Sequence, residues 1–139
     1  MRATKIINAG RELAQHPSVR VGVDYLALDI RVTPQGQWMR ILDDEMKPGG
    51  PVIWAVEMFE IRSPRISSNW AATIRRPEGG GWSLYLAPRP WLRRGFWDDY
   101  FDRPWEGAGA TFDAAVAEMA AEEGLPPDGR VAGGIWRGR

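Results

Sequence analysis

Two segments near the middle of the chain alternate in side-chain character with a period of two. They are residues 70–76 and 82–87, and the connection between them, residues 77–81, contains a proline and three glycines. Such alternation is typical of strands with one buried face, and a short glycine-rich connection joins antiparallel neighbours. The pattern predicts a β-hairpin. Because an isolated hairpin is not stable in water, the rest of the chain must supply further strands or a covering helix.

Three other segments have the pattern of extended strands: residues 19–33, 37–42 and 52–62. In the first, the alternation changes phase near Asp24, which predicts a β-bulge or a bend. The last is apolar at odd and even positions alike, which predicts a central strand covered on both sides. Together with the hairpin, these segments predict an antiparallel meander of about five strands.

Apolar residues recur at helical spacing in residues 4–16 and 112–123. Pro17 would end the first helix, Thr111 would cap the second, and Gly124 would end it. We expect the apolar stripe of the second helix to be buried; its members are Phe112, Val116 and Met119. The predicted fold is an α+β domain in which an N-terminal and a C-terminal helix pack on one face of the meander.

The length of 139 residues suits one domain, which we assign to residues 1–126. Residues 127–139 are rich in glycine and arginine and are predicted to form a loosely held tail. The chain has no cysteine, which fits a reducing cytoplasm, and we expect it there. It has neither an apolar signal core at its start nor a long apolar run, so no membrane span is expected.

The chain offers few side chains for catalysis. Its one histidine, His16, is expected at the end of the first helix, where the helix dipole favours a cation. A serine hydrolase needs an activated serine, and the Gly-x-Ser-x-Gly pattern is absent. The glycines of residues 79–81 precede neither a lysine nor a predicted helix, so they match no phosphate loop. These features predict a protein that is not an enzyme and holds no cofactor.

Three carboxylates in one short segment form a candidate cation site: Asp98, Asp99 and Asp102. Asp-Asp-x-x-Asp is the pattern that binds magnesium diphosphate in prenyl-chain enzymes, and on a helix these side chains can hold a hard cation. The neighbouring arginines can instead neutralise the carboxylates as salt bridges, which favours the absence of a metal. A carboxylate- or magnesium-dependent enzyme is therefore the least favoured function.

The charges of the chain balance, with 18 basic and 18 acidic residues and a net charge of +0. Nucleic-acid-binding proteins usually carry a basic excess, because neutralising phosphates supplies much of their affinity. We therefore expect the partner to be another protein. Nucleic acid is the alternative partner, a homodimer is left open, and no contact with a membrane is expected.

Residues 89–105 combine aromatic side chains with arginines, and we name them the aromatic segment. Its candidate partner-binding residues are Arg89, Trp91, Arg93, Arg94, Phe96, Trp97, Tyr100, Arg103 and Trp105. Under one interpretation the aromatics fold back and cover the sheet. Under the other they form an exposed interface, where tryptophan, tyrosine and arginine dominate binding energy. The two are compatible if some aromatics anchor the segment while others face outwards.

The preferred function is a non-catalytic protein–protein interaction module that binds through the aromatic segment. An adaptor, an inhibitor or an accessory protein of bacterial or phage type would fit this size and composition. The alternative is a nucleic-acid-binding domain whose tryptophans and arginines stack on bases.

Overall fold

The computed structural model of the chain describes residues 1–8, 10–43, 51–76 and 80–127. The strands are β1 (Arg2–Ala3), β2 (Ile6–Asn8), β3 (Arg11–Leu13), β4 (Ala27–Thr33), β5 (Gly36–Ile41), β6 (Ile53–Ala55), β7 (Phe59–Glu60), β8 (Trp70–Arg75) and β9 (Ser83–Pro88). The helices are α1 (Phe96–Asp102) and α2 (Ala108–Glu122), with 3-10 turns at Val56–Met58, Arg89–Leu92 and Pro104–Glu106. The predicted tail, apart from Pro127, lies outside the described residues.

Five of the strands form one antiparallel sheet in the order β6-β5-β4-β9-β8. This confirms the α+β class and the five-stranded antiparallel sheet. The predicted hairpin is also confirmed, since β8 and β9 pair with Ala71 opposite Ala87 and Thr73 opposite Tyr85. The strands do not follow one another across the sheet in chain order, as they would in a meander. The hairpin pairs through β9 with the edge of β4 that faces away from β5. This places β4 at the centre.

The prediction of an N-terminal helix is wrong. Residues 4–16 include the two short strands β2 and β3, which pair with each other, with Ile6 opposite Leu13 and Asn8 opposite Arg11. Gly10, in the connection, has a φ of 74°, a left-handed conformation that ends regular structure and that glycine adopts at little cost. Two three-residue strands joined by a tight turn repeat apolar residues at nearly helical spacing, which explains the misassignment. Both described helices therefore follow the main sheet in the chain.

The prediction of a central strand at residues 52–62 is also wrong. β6 is an edge strand, and after Ala55 the chain leaves the main sheet through a 3-10 turn that carries the fully buried Met58 into the core. β7 then pairs with β1 instead. The segment is therefore not covered on both sides: Trp54 and Met58 are buried, whereas Ile53 and Ile61 on the other face are exposed. The bend predicted near Asp24 is present as a turn at Val21 and Gly22, where Gly22 has a φ of 82°, and a separate register shift lies between Ala27 and Asp29.

The C-terminal helix forms as predicted but begins earlier, at Ala108 instead of after Thr111. Gly107, with a φ of 112°, occupies the N-cap position, and its carbonyl accepts a hydrogen bond from the Thr111 N–H. Burial of the apolar stripe is confirmed, since Phe112, Val116 and Met119 are all at most 4% exposed. Gly124, with a φ of 69°, follows the last turn.

We predict that Met119→Ala lowers the free energy of unfolding by about 2–5 kcal/mol, because a buried side chain is removed and a cavity remains. The sulfur of Met119 accepts a hydrogen bond from the Trp70 indole of β8, so this residue joins α2 to the sheet. Urea denaturation measures the change. The matched control is Asp113→Ala, an exposed position on the same helix, which should change the value by less than about 0.5 kcal/mol. Equal effects of the two substitutions would show that α2 is peripheral.

Candidate functional site

The aromatic segment runs through a 3-10 turn, α1 and a second 3-10 turn, and its candidate residues divide by burial. Buried residues are Trp91 and Phe96; half-buried ones are Trp97 and Tyr100; exposed ones are Arg89, Arg93, Arg94, Arg103 and Trp105. The segment therefore has an inner face turned to the protein and an outer face turned to solvent. Phe101, which is 40% exposed, also belongs to the outer face.

The inner aromatics pack against helix α2. The rings of Trp91 and Phe112 stack with centroids 5.1 Å apart, and Phe96 stacks on Trp91 at 5.8 Å. Tyr100 lies 4.6 Å from Phe112. Ring contacts at these separations add to the free energy gained by burying the rings. Trp91 and Phe96 therefore belong to the core, and a contact with a partner falls to the exposed members of the segment.

A buried polar network joins the segment to the sheet. Asp29 of β4 accepts hydrogen bonds from the Arg40 backbone N–H (2.9 Å), from Arg40 Nη1 (2.7 Å) and from the Tyr85 hydroxyl (2.7 Å). The Tyr85 oxygen in turn accepts a hydrogen bond from the indole N–H of Trp97 in α1 (2.7 Å). The Arg40 guanidinium also lies 4.0 Å from the centre of the Trp97 ring. We call these four residues the Asp29 network.

Three members of this network, Asp29, Arg40 and Tyr85, are buried. Asp29 is 1% exposed and Arg40 is 7% exposed, so each charge depends on the other and on its hydrogen bonds. Burial raises the pKa of Tyr85 well above its usual range, and the neighbouring Asp29 carboxylate raises it further. Tyr85 therefore stays protonated and keeps donating to Asp29. This arrangement is structural, since no member of it offers a free base or nucleophile.

Of the three candidate carboxylates of α1, Asp99 is engaged by two arginines. Asp99 accepts from Arg93 (2.7 Å) and from Arg103 (2.8 Å). The hydrogen bond from Arg93 lowers the pKa of Asp99, and the charge of Arg103 acts in the same direction. In the described ranges no three histidine, aspartate or glutamate side chains lie close enough to share a metal ion. Asp99 thus links α1 to Arg93, which precedes the helix, and to Arg103, which follows it.

Four arginines surround a depression on the face of the main sheet that carries the Tyr85 side chain. It has a volume of about 470 Å³, and Arg31, Arg75, Arg76 and Arg94 line it together with Tyr85 and Leu92. We call it the arginine basin. Sequence analysis identified only Arg94 among these arginines. The alternation within each strand predicts which face Arg31 and Arg75 occupy in their own strands. That the two share one face follows only from the register, in which Arg31 is opposite Tyr85 and Arg75 is opposite Ser83.

The single histidine has a structural setting. His16 Nδ1 accepts a hydrogen bond from the Ser18 N–H (3.1 Å) in a tight turn, and its ring meets the Trp54 ring edge-on at 5.0 Å. It does not lie at a helix end as expected, because that helix does not form.

No helix in the described part of the chain is long and apolar enough to cross a membrane.

We predict that Tyr85→Phe lowers the free energy of unfolding by about 1–3 kcal/mol, because Asp29 loses a donor and the Trp97 indole loses its acceptor. Tyr100→Phe is the matched control, since the Tyr100 side chain contributes ring contacts. It should change the value by less than about 0.5 kcal/mol. Equal losses in chemical denaturation would contradict a structural role for the Tyr85 hydroxyl.

The raised pKa of Tyr85 also predicts how stability depends on pH. A tyrosine in the unfolded chain ionises near 10.0, whereas Tyr85 in the folded protein does so only at higher pH. Above pH 10.0 the unfolded state therefore releases a proton that the folded state retains, and stability falls as pH rises. The contribution is complete below that pH. Denaturation at stepped alkaline pH should show a steeper loss for the wild-type chain than for Tyr85→Phe; parallel curves would contradict the assignment.

Comparisons with protein-family models, with curated proteins and with solved structures found no match.

Proposed function

We propose that this chain is a non-catalytic protein-interaction module that binds another protein through the outer face of the aromatic segment. The observation that carries the proposal is the exposure of Trp105, whose side chain is 77% accessible to solvent. A tryptophan exposes a large apolar surface at this level, and such surfaces tend to mark contacts. Tryptophan is also among the residues that most often dominate the energy of protein interfaces.

Trp105 is held on a rigid support. It lies in the 3-10 turn Pro104–Glu106, and this turn packs closely on the start of α2: a Cβ added to Gly109 would lie 2.9 Å from the Pro104 oxygen. Arg103 bridges the turn to α1, with contacts to Asp99 (2.8 Å) and Glu106 (3.3 Å). A side chain presented by an ordered turn loses less entropy on binding than one on a flexible loop.

Neighbouring side chains on the outer face suit a protein partner. Phe101 adds a second exposed aromatic, and Arg103 adds a guanidinium that can pair or stack. Glu106 follows Trp105 directly and pairs with Arg103 (3.3 Å), so the surface beside Trp105 carries charges of both signs. Together with the net charge of +0, this favours a protein over a nucleic acid.

The residue chemistry supports a binding role over catalysis. The chain contains no cysteine, and its one histidine, His16, is engaged in a turn. The Asp29 carboxylate, the one buried base of this cluster, already accepts hydrogen bonds from Arg40 and Tyr85. An adaptor, an inhibitor or an accessory protein would need no more than a shaped surface.

Trp105→Ala is predicted to weaken binding to the partner by about 2 kcal/mol or more, the size of an interface hot spot, which corresponds to roughly 30-fold in Kd. The partner is first captured from the native host with the wild-type chain, and Kd is then measured by calorimetry with the purified partner. The melting temperature of the variant should match that of the wild type, because the side chain contributes little to the core.

Trp82→Ala is the matched control. Trp82 is also an exposed tryptophan, 46% accessible, but it precedes β9 and lies outside the aromatic segment. It should leave Kd within about twofold of the wild-type value. Equal affinity of the two variants for the partner would overturn the proposal, as would a loss of binding by Trp105→Ala that merely follows a loss of folding.

A further inference from the structure

The arginine basin carries a concentrated positive charge that the protein does not neutralise. Among the described residues, Arg2, Arg40, Arg93 and Arg103 each form a salt bridge with a carboxylate. The four basin arginines form none there, nor does a carboxylate line the depression. Like charges brought together repel, so binding an anion from outside would be favourable here.

Two of the basin arginines are held in position by the Asp29 network. Arg75 Nη2 donates a hydrogen bond to the Leu92 carbonyl (2.8 Å), and its Cζ lies 5.2 Å from the centre of the Tyr85 ring. The Cζ of Arg31 lies 5.5 Å from the same ring centre. The Tyr85 hydroxyl is fixed in turn by Asp29 and Trp97. The guanidiniums are therefore preorganised, and their planar forks suit carboxylates.

We propose that the arginine basin binds an acidic, extended segment of the partner protein; this inference rests on the proposed function, because it takes the partner to be a protein. Arg94 belongs to both the basin and the aromatic segment, so one partner can contact both surfaces. The basin thus supplies the charged part of the contact, and Trp105 supplies the apolar part.

The position of the basin at the sheet edge favours an extended peptide. β8 is the last strand of the main sheet, Arg75 is its final residue and Arg76 follows directly. In the described part of the chain no strand pairs with the outer edge of β8. A peptide strand added there would turn every second side chain towards the face that carries Arg75. A segment with carboxylates at alternate positions therefore matches both the edge and the charge.

The test uses fluorescence anisotropy with a labelled peptide of alternating glutamate and threonine, about ten residues long, the length of a long natural strand. A peptide with glutamine in place of glutamate is its neutral control. We expect the wild-type chain to bind the acidic peptide at least about tenfold more tightly than the neutral one. A thymidine oligonucleotide with the same number of negative charges as the acidic peptide tests the competing class of partner.

The variant Arg31→Gln/Arg76→Gln should weaken binding of the acidic peptide by about tenfold or more, because two of the four guanidiniums are lost. The matched control, Arg11→Gln/Arg62→Gln, removes the same charge outside the basin and should change Kd by less than about twofold. If the first variant does not fold by circular dichroism, Arg94→Gln replaces it. Arg94 is exposed, and its substitution should weaken binding at least about threefold.

Four results would overturn the inference. They are equal weakening in basin and control variants, equal binding of the acidic and neutral peptides, tighter binding of the oligonucleotide, and no peptide binding at about 1 mM, the weak end of the useful range. Trp105→Ala should retain peptide binding. A chain that captures its partner through Trp105 but ignores the peptide would lose only this inference, and the proposed function would stand.

Discussion

The buried carboxylate of Asp29 joins the main sheet to helix α1 through its hydrogen bonds. Asp29 lies at the centre of the sheet, and three donors converge on it: two from Arg40 on β5 and one from Tyr85 on β9. Burying an ion pair costs more than the attraction returns unless hydrogen bonds satisfy both partners. Through the Tyr85 hydroxyl the network reaches Trp97, so it joins three strands to helix α1. Removing any one donor would leave a buried group without its partner.

Both proposed surfaces depend on that constraint. The inner aromatics and the Trp97 indole fix the aromatic segment to the sheet and to α2, which leaves the outer face as a formed surface with Trp105 exposed. The Tyr85 ring stands between the guanidiniums of Arg31 and Arg75 and so determines the shape of the arginine basin. A polar core can in this way fix the positions of side chains at the surface.

The sequence pattern within a single segment was sufficient to predict the β8–β9 hairpin and helix α2. The β8–β9 hairpin and the buried stripe of α2 follow from alternation and helical spacing within single segments. Residues 4–16 were misassigned because strands of three residues carry too little pattern to distinguish them from a helix. Residues 52–62 look like a central strand because odd and even positions are both apolar. In the structure Ile53 and Ile61 are exposed, and Met58 is buried by a turn that leaves the main sheet.

The candidate site could be predicted only in part, because burial within the aromatic segment depends on distant residues. Trp91 and Trp105 have similar sequence surroundings, with proline before each, yet one is fully buried against Phe112 and the other is exposed. The arginine basin requires the strand register, which places Arg31 opposite Tyr85 from far away in the chain. The equal numbers of basic and acidic residues do not indicate the basin, because a net charge of +0 for the whole chain is compatible with a local excess of positive charge.

The central claim is that the aromatic segment is fixed to the sheet on its inner face and open on its outer face. Hydrogen exchange of the tryptophan indole N–H groups, followed by NMR on ¹⁵N-tryptophan-labelled protein, tests it most directly. The account predicts that the Trp97 indole, bonded to Tyr85, exchanges only through unfolding, while the Trp105 indole exchanges as fast as a free one. Equally fast exchange of both indoles would show that the segment is not fixed to the sheet and would contradict the account.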